Sequence, residues 1–342
     1  MASSITSRRR RTADRLRLYI SGVHGGANPS PGVGIARSLR TAFPDAHLVA
    51  VDYSPHSSGL LWPDFDEGLV RPPWQAIDLG AHAAFVASRL SEGAIWISGL
   101  DLEIRLLTRR LRSRTRLPLP PWTTIQMAAK PPFRLGRLLG IGLPPFLLLA
   151  TASDVDLGRF CRLHGWPLWV KGTHYDAVPI WSWYEAGPVI AQLAEAWGGK
   201  DQLFLQAHVA GQDVTIAFAA WKGELLGAAF LEKLDRTHQG KVWSGQVSRV
   251  SAELERRLRR LVRLTKWSGG GELECVRDQQ GNLWLLECNP RFPAWIYGAA
   301  QAGYNLPALL VQAITGRLSA KATQHHRASF TRVVVEVPAW AP

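Results

Sequence analysis

The chain has 342 residues, 46% apolar and 20% charged, an ordinary globular balance with length enough for two or three domains. No apolar run reaches the roughly 18 residues of a membrane span. The arginines Arg8 to Arg11 have no apolar stretch behind them, so a secretory signal is not expected. Cys161, Cys275 and Cys288 form neither a disulfide framework nor a Cys/His metal pattern, which fits a reducing, cytoplasmic setting. The net charge of +13 raises nucleic acid as a partner, but the basic residues are scattered through 8–17, 105–116, the 130s and 256–263. Charge without a concentrated stripe is weak evidence, and nucleic acid is not the expected partner.

In chain order, residues 1–15 read as a disordered basic tail. Leu16–Gly22 reads as a buried strand, His24–Gly34 (HGGANPSPGVG) as a glycine- and proline-rich loop, and Ile35–Ala42 as a helix. His47–Asp52 is a second strand. Strand, glycine loop, helix and strand open a doubly wound sheet. A helix at Ile77–Leu90, a strand at Gly93–Gly99 and a helix at Leu102–Leu111 continue it. Pro118–Pro121 marks a boundary. Beyond it, helices are expected at Gln126–Leu139, Asp154–His164 and Val189–Trp197, with a short strand Pro167–Val170 running into Lys171. Strands Leu203–Val209, Val214–Trp221 and Leu225–Leu231 read as an antiparallel meander. Glu253–Lys266 is a helix, Gly271–Arg277 and Leu283–Cys288 a hairpin, Leu306–Thr315 a helix and Phe330–Val337 a last strand.

The chemistry concentrates in residues 269–295, GGGELECVRDQQGNLWLLECNPRFPAW. A hairpin brings Glu274 and Glu287 together if both face one side, and Asn289 follows Glu287 on that face by the period of two along a strand. Two carboxylates and an amide oxygen are a hard-oxygen set suited to Mg2+, and Arg291 beside them suits a phosphoryl oxygen. Without further support, the same text reads as a solvated hairpin ending in an N-P-R turn.

The string LLECNPRF, with an acidic strand and a turn before it, resembles the signature of the ATP-grasp superfamily, in particular its carbamoyl-phosphate-synthase-like branch of carboxylate–amine ligases. The resemblance covers about residues 16–317. It implies an α/β (α+β) fold: an N-terminal open α/β pre-ATP-grasp domain at 16–117, a small lobe at 118–204, and a C-terminal lobe with the metal site at 205–342. It implies Mg2+ (or Mn2+) at Glu274, Glu287 and Asn289, with Arg291 on phosphate. Upstream, Lys171 resembles the lysine on the α- and β-phosphates of ATP and Lys130 the earlier nucleotide lysine. LFLQAHVAGQDV resembles the hinge strand, with Gln206, His208 and Val209 beside adenine and Asp213 where the family commonly has Glu. Lys233 would reach the γ-phosphate. One departure is GTHYDAVPIWSW after Lys171, where the family often has a glycine-rich flap; Thr173, His174 and Tyr175 stand there.

The implied activity joins a carboxylate (an amino acid, peptide or related acid) to an amine through an acyl phosphate, releasing ADP and phosphate. A homodimer is compatible with it, and no membrane partner is expected. Two other readings stand beside it. One is an ATP-binding module without ligase activity. The other is an NAD(P)-dependent oxidoreductase using the loop at His24–Gly34, with Asp52 at a ribose-binding position.

Overall fold

The computed structural model describes residues 15–26, 28–111, 115–173, 176–237, 240–317 and 325–336. The expected tail at 1–14 lies outside them, as do His174 and Tyr175 of the expected flap. Arg15, read as the end of the tail, is held instead: its Nε donates to the Asp45 carbonyl at 2.6 Å. Contacts divide the chain into two compact units. The first is 1–125, 215–272 and 289–342; the second is 126–214 and 273–288. Both are discontinuous in sequence, whereas the segments read from the sequence are continuous.

The first unit opens with β1 (Arg17–Ser21), α1 (Gly32–Ala42), β2 (His47–Asp52), a 3-10 turn, β3 (Glu67–Val70), α2 (Leu79–Ser91), β4 (Ile95–Ser98) and α3 (Asp101–Arg110). The strands form a parallel sheet in the order β3-β2-β1-β4. Their near-continuous apolar text (LVAV, IWI) is what a sheet covered on both faces requires. The strand β3 is not apparent in the sequence, because EGLV is short and largely exposed. The loop after β1 is shaped by packing. A Cβ on Gly32 would lie 2.4 Å from the Gly22 carbonyl oxygen. Asp52 is buried and spends its carboxylate on the backbone, accepting from Val23 N and Tyr53 N. The acid that the oxidoreductase reading assigns to a ribose is therefore committed to holding this loop.

Pairing corrects the expected meander. β8 (Leu203–Ala207) lies between β5 (Phe146–Leu148) and β6 (Leu168–Gly172), with β7 (Ala177–Ile180) beyond, in a four-stranded sheet ordered β5-β8-β6-β7. β9 (Gln212–Trp221) and β10 (Glu224–Arg236) belong to a different, six-stranded sheet, ordered β13-β12-β9-β10-β11-β14. It also contains β11 (Val242–Ser248), β12 (Gly269–Arg277), β13 (Leu283–Asn289) and β14 (Ala328–Thr331). The break falls at Gly211, where a Cβ would lie 2.3 Å from the Arg277 carbonyl oxygen. Such a contact admits only glycine and redirects the chain out of β8.

The other helices are α4 (Trp122–Ala128), α5 (Phe133–Leu139), α6 (Asp154–His164), α7 (Trp183–Trp197), α8 (Ala252–Thr265), α9 (Ile296–Gln301) and α10 (Leu306–Thr315). The expected helix Gln126–Leu139 is two helices, because Pro131 and Pro132 lack an N–H and interrupt the ladder. The helix expected from Val189 starts at Trp183 and accommodates Pro188. α8 buries Leu254, Leu258, Leu261, Val262 and Thr265 on one face. Its outer face pairs Glu253 with Arg257 and Glu255 with Arg259, so much of that arginine run is a solvated helix surface. No helix among the described residues is long and apolar enough to cross a membrane.

Candidate functional site

In the second unit the site is built on β6 and β8. Register pairs Trp169 with Gln206 and Lys171 with Phe204, so Lys171 and Gln206 lie diagonally on one face. Lys171 sits inside β6, not past its end. It is 8% exposed, and its ammonium donates to Gln206 Oε1 at 2.6 Å. Burial, with help from the charge of Lys130, pulls the Lys171 pKa down to about 8, against the opposing pull of Glu287, Glu274 and Asp213. That field brings five of the expected site residues into one neighbourhood. Lys130 is in the break between α4 and α5, not inside the single helix expected at Gln126–Leu139. Its N–H donates to the Thr173 carbonyl, and its ammonium pairs with Glu287 Oε2 at 3.2 Å.

Gln206 has one end of its amide engaged and the other not. Its carbonyl oxygen is taken by Lys171, while its Nε2 is buried without a hydrogen-bond partner. A buried donor left unmade costs about 1–3 kcal/mol, so an acceptor at this position would remove a standing penalty. His208 and Val209 follow β8. His208 is exposed, and its Nδ1 accepts from Trp169 Nε1 at 3.4 Å.

In the first unit, the second cluster surrounds a residue outside the expected set. Glu272, only 5% exposed, accepts from Thr215 Oγ1 (3.2 Å), Trp295 Nε1 (3.3 Å), Asn289 Nδ2 (3.1 Å) and Arg291 Nη1 (3.0 Å). Arg291 Nε also reaches Asp101 Oδ2 at 3.2 Å. The Arg291 guanidinium is thus braced by two carboxylates, and the indole of Trp295 is a buried brace for Glu272. Glu272 had one sequence signal, its place two residues before Glu274 on a strand. Asp101 had none, being 190 residues from Arg291.

The glycines before Glu272 are explained by packing. Gly269 has φ +102, and Cβ atoms on Gly270 and Gly271 would lie within 2.6 Å of the Phe292 and Phe218 rings. Cys275 and Cys288, which alternate with Glu274 and Glu287, are both buried. Lys233 lies within β10, opposite Gly245 of β11, and not beyond a strand end.

Among the described residues no group of three or more His, Cys, Asp or Glu side chains is gathered for a metal. The candidate set of Glu274, Glu287 and Asn289 has two carboxylates and an amide. That is the sparse kind of set Mg2+ takes when phosphate oxygens complete its shell.

Residues 200–337 match the model of a family described as ATP-grasp in the biosynthetic pathway with Ter operon. The fold is similar to N5-carboxyaminoimidazole ribonucleotide synthetase from Thermus thermophilus, at 16% identity and TM-score 0.67 over 94% of this chain and 84% of that one. It is also similar to the biotin carboxylase domain of Hydrogenobacter thermophilus 2-oxoglutarate carboxylase, solved with MgADP, ADP and bicarbonate. There the identity is 14% and the TM-score 0.64, over 91% of this chain and 72% of that one. L-amino acid ligase from Bacillus licheniformis follows at 13% and 0.60, over 88% and 74%. No curated protein matches by sequence. The chain has the ATP-grasp fold, and the expectation from LLECNPRF is borne out at that level.

Proposed function

We propose that this chain is an ATP-dependent ligase that joins a carboxylate to an amine through an acyl phosphate, releasing ADP and phosphate. The observation that carries the reading is the Lys171 neighbourhood: a buried lysine of lowered pKa, a second lysine, three carboxylates and a buried amide donor without an acceptor. Two lysines able to hold phosphate oxygens, with acids able to hold a divalent cation, suit a reaction whose demands are positioning and charge neutralisation. The names of the similar structures, among them an L-amino acid ligase, support the same class.

In this reading Lys171 and Lys130 hold phosphate oxygens of the nucleotide, and Lys233 reaches toward the γ-phosphate. Gln206 Nε2, His208 and Val209 serve the base, and Asp213 adds a carboxylate beside Lys171. Glu274, Glu287 and Asn289 would hold Mg2+, which would supply neutralisation of phosphate charge. Arg291, fixed in direction by Glu272 and Asp101, is the cation assigned to the transferring phosphoryl group. The bracing keeps that cation from reorganising as charge develops. Three buried cysteines, none in a disulfide, are in keeping with a reducing cytoplasm.

The test is product analysis with ATP, Mg2+ and a panel of carboxylates and amines. ADP and phosphate are expected; AMP and pyrophosphate would sink the acyl-phosphate route. Thermal shift separates the other readings: stabilisation by MgADP is expected, and stabilisation by NAD(P) alone would favour the oxidoreductase.

A further inference from the structure

We infer that Glu272 is a positioning residue that fixes which atom of the Asn289 side chain is presented to the metal. The inference rests on the proposed Mg2+–nucleotide reading and adds a residue outside the motif that suggested it.

An asparagine amide has an acceptor end and a donor end, and only the oxygen can ligate Mg2+. Nothing in a lone asparagine decides which end points where. Here the Asn289 amide meets Glu272 Oε2 at 3.1 Å. An ionised carboxylate only accepts, so the contact is possible only with the NH2 end turned to Glu272. The carbonyl oxygen is thereby turned the other way.

The arrangement requires Glu272 to stay ionised at 5% exposure. The guanidinium of Arg291 at 3.0 Å supplies the countercharge, and Thr215 and Trp295 fill the second oxygen. These four donors come from side chains, two on each oxygen of Glu272, so the two oxygens have different tasks. Oε1 is anchored, and Oε2 is shared between the asparagine and the arginine. One buried acid therefore orients both polar residues of the N-P-R turn.

The test follows from the difference between an acid and an amide of the same shape. In Glu272→Gln the new NH2 group can donate to the Asn289 oxygen and invert the amide. Binding of ADP is measured calorimetrically across a Mg2+ titration and again in EDTA. The parent is expected to bind ADP more tightly as Mg2+ rises. E272Q is expected to need about 10–100-fold more Mg2+ for the same gain, the usual cost of losing a group that orients a ligand. Its ADP affinity in EDTA stays within about twofold of the parent, which a merely structural defect would not produce.

The double variant E272Q/N289D restores an oxygen facing either way, with the glutamine donating to the aspartate. It is expected to recover most of the Mg2+ dependence. N289D alone sets two acids against each other and is expected to be worse than the double variant, a coupling of opposite sign to additivity. If E272Q does not fold, the comparison of N289D with the double variant carries the test. A parental Mg2+ titration in E272Q, or a double variant no better than N289D, overturns the inference. A parent in which Mg2+ has no effect on ADP binding overturns the proposed function instead.

Discussion

The two clusters of candidate site residues differ in how far their polar groups are already satisfied. Around Glu272, in the first unit, a buried carboxylate meets four donors and its arginine partner has a second acid. Around Lys171, in the second unit, a buried ammonium is held at a pKa of about 8 and a buried amide donor goes unmet. The first cluster satisfies both oxygens of Glu272 without a ligand, although Asp101 Oδ1 at its edge is itself buried without a hydrogen-bond partner. The second carries a penalty that an anionic, acceptor-rich ligand would relieve. Substitutions in the first should therefore register as stability or geometry, and substitutions in the second as affinity.

The largest effect is expected at Glu287, which pairs with Lys130 and acts on Lys171. Glu287→Ala should lower ADP formation by about 10³-fold, the scale of removing one preorganised charge-stabilising group. Turnover by the variant at the parental rate would remove this residue from the site. Next comes Glu272→Ala. It leaves Arg291 with one acid and strands the donors of Thr215, Asn289 and Trp295 in a buried place. Breaking a buried pair in this way should cost about 3 kcal/mol in chemical denaturation. A loss under about 1 kcal/mol would mean that the cluster is not the stable frame described above.

Lys171→Met reverses the pattern. A methionine of similar length removes the cost of burying a charge but also takes the donor from Gln206 Oε1, so the free protein should change its midpoint of unfolding little. ADP affinity should drop about tenfold to a hundredfold, as expected for one charge-assisted phosphate contact. A variant that unfolds more easily yet binds ADP normally would assign Lys171 to structure.

Local text was a good guide where a single element decides the answer. The β2 strand His47–Asp52, the α6 helix Asp154–His164 with its Ser153 cap and the α10 helix Leu306–Thr315 all carry their own periodicity and end signals. Partnership was not legible. Leu203–Ala207 and Gln212–Trp221 read as neighbours because only a few residues separate them, yet they pair in different sheets. What separates them is the backbone contact at Gly211, made with Arg277, a residue far along the chain. The site behaved likewise. Glu274, Glu287, Asn289 and Arg291 stand out by spacing, whereas Asp101 and Thr215 reveal themselves only through the side chains they touch. Glu272 was visible but unassigned, since alternation says which face a residue takes and not what it meets there.

The smallest effect is also the most specific to Lys171. In the free protein its pKa is lowered to about 8 from 10.5 by burial and by Lys130. An unfolded lysine holds its proton through that window while the folded one gives it up. The unfolded state thus binds more protons, and this group's contribution to stability rises as pH climbs from about 8 toward 10.5. Ligand binding runs the opposite way. Phosphate oxygens beside Lys171 favour its charged form, so above about pH 8 each ADP bound must return about one proton to it. ADP affinity should then fall by up to about tenfold per pH unit above that point. Calorimetry at about pH 8.5, between the two pKa values, in two buffers of different ionisation heat should detect proton uptake in the parent and none in Lys171→Met. Equal uptake in both would show that another group titrates, and the contrast between the two clusters would lose its chief support.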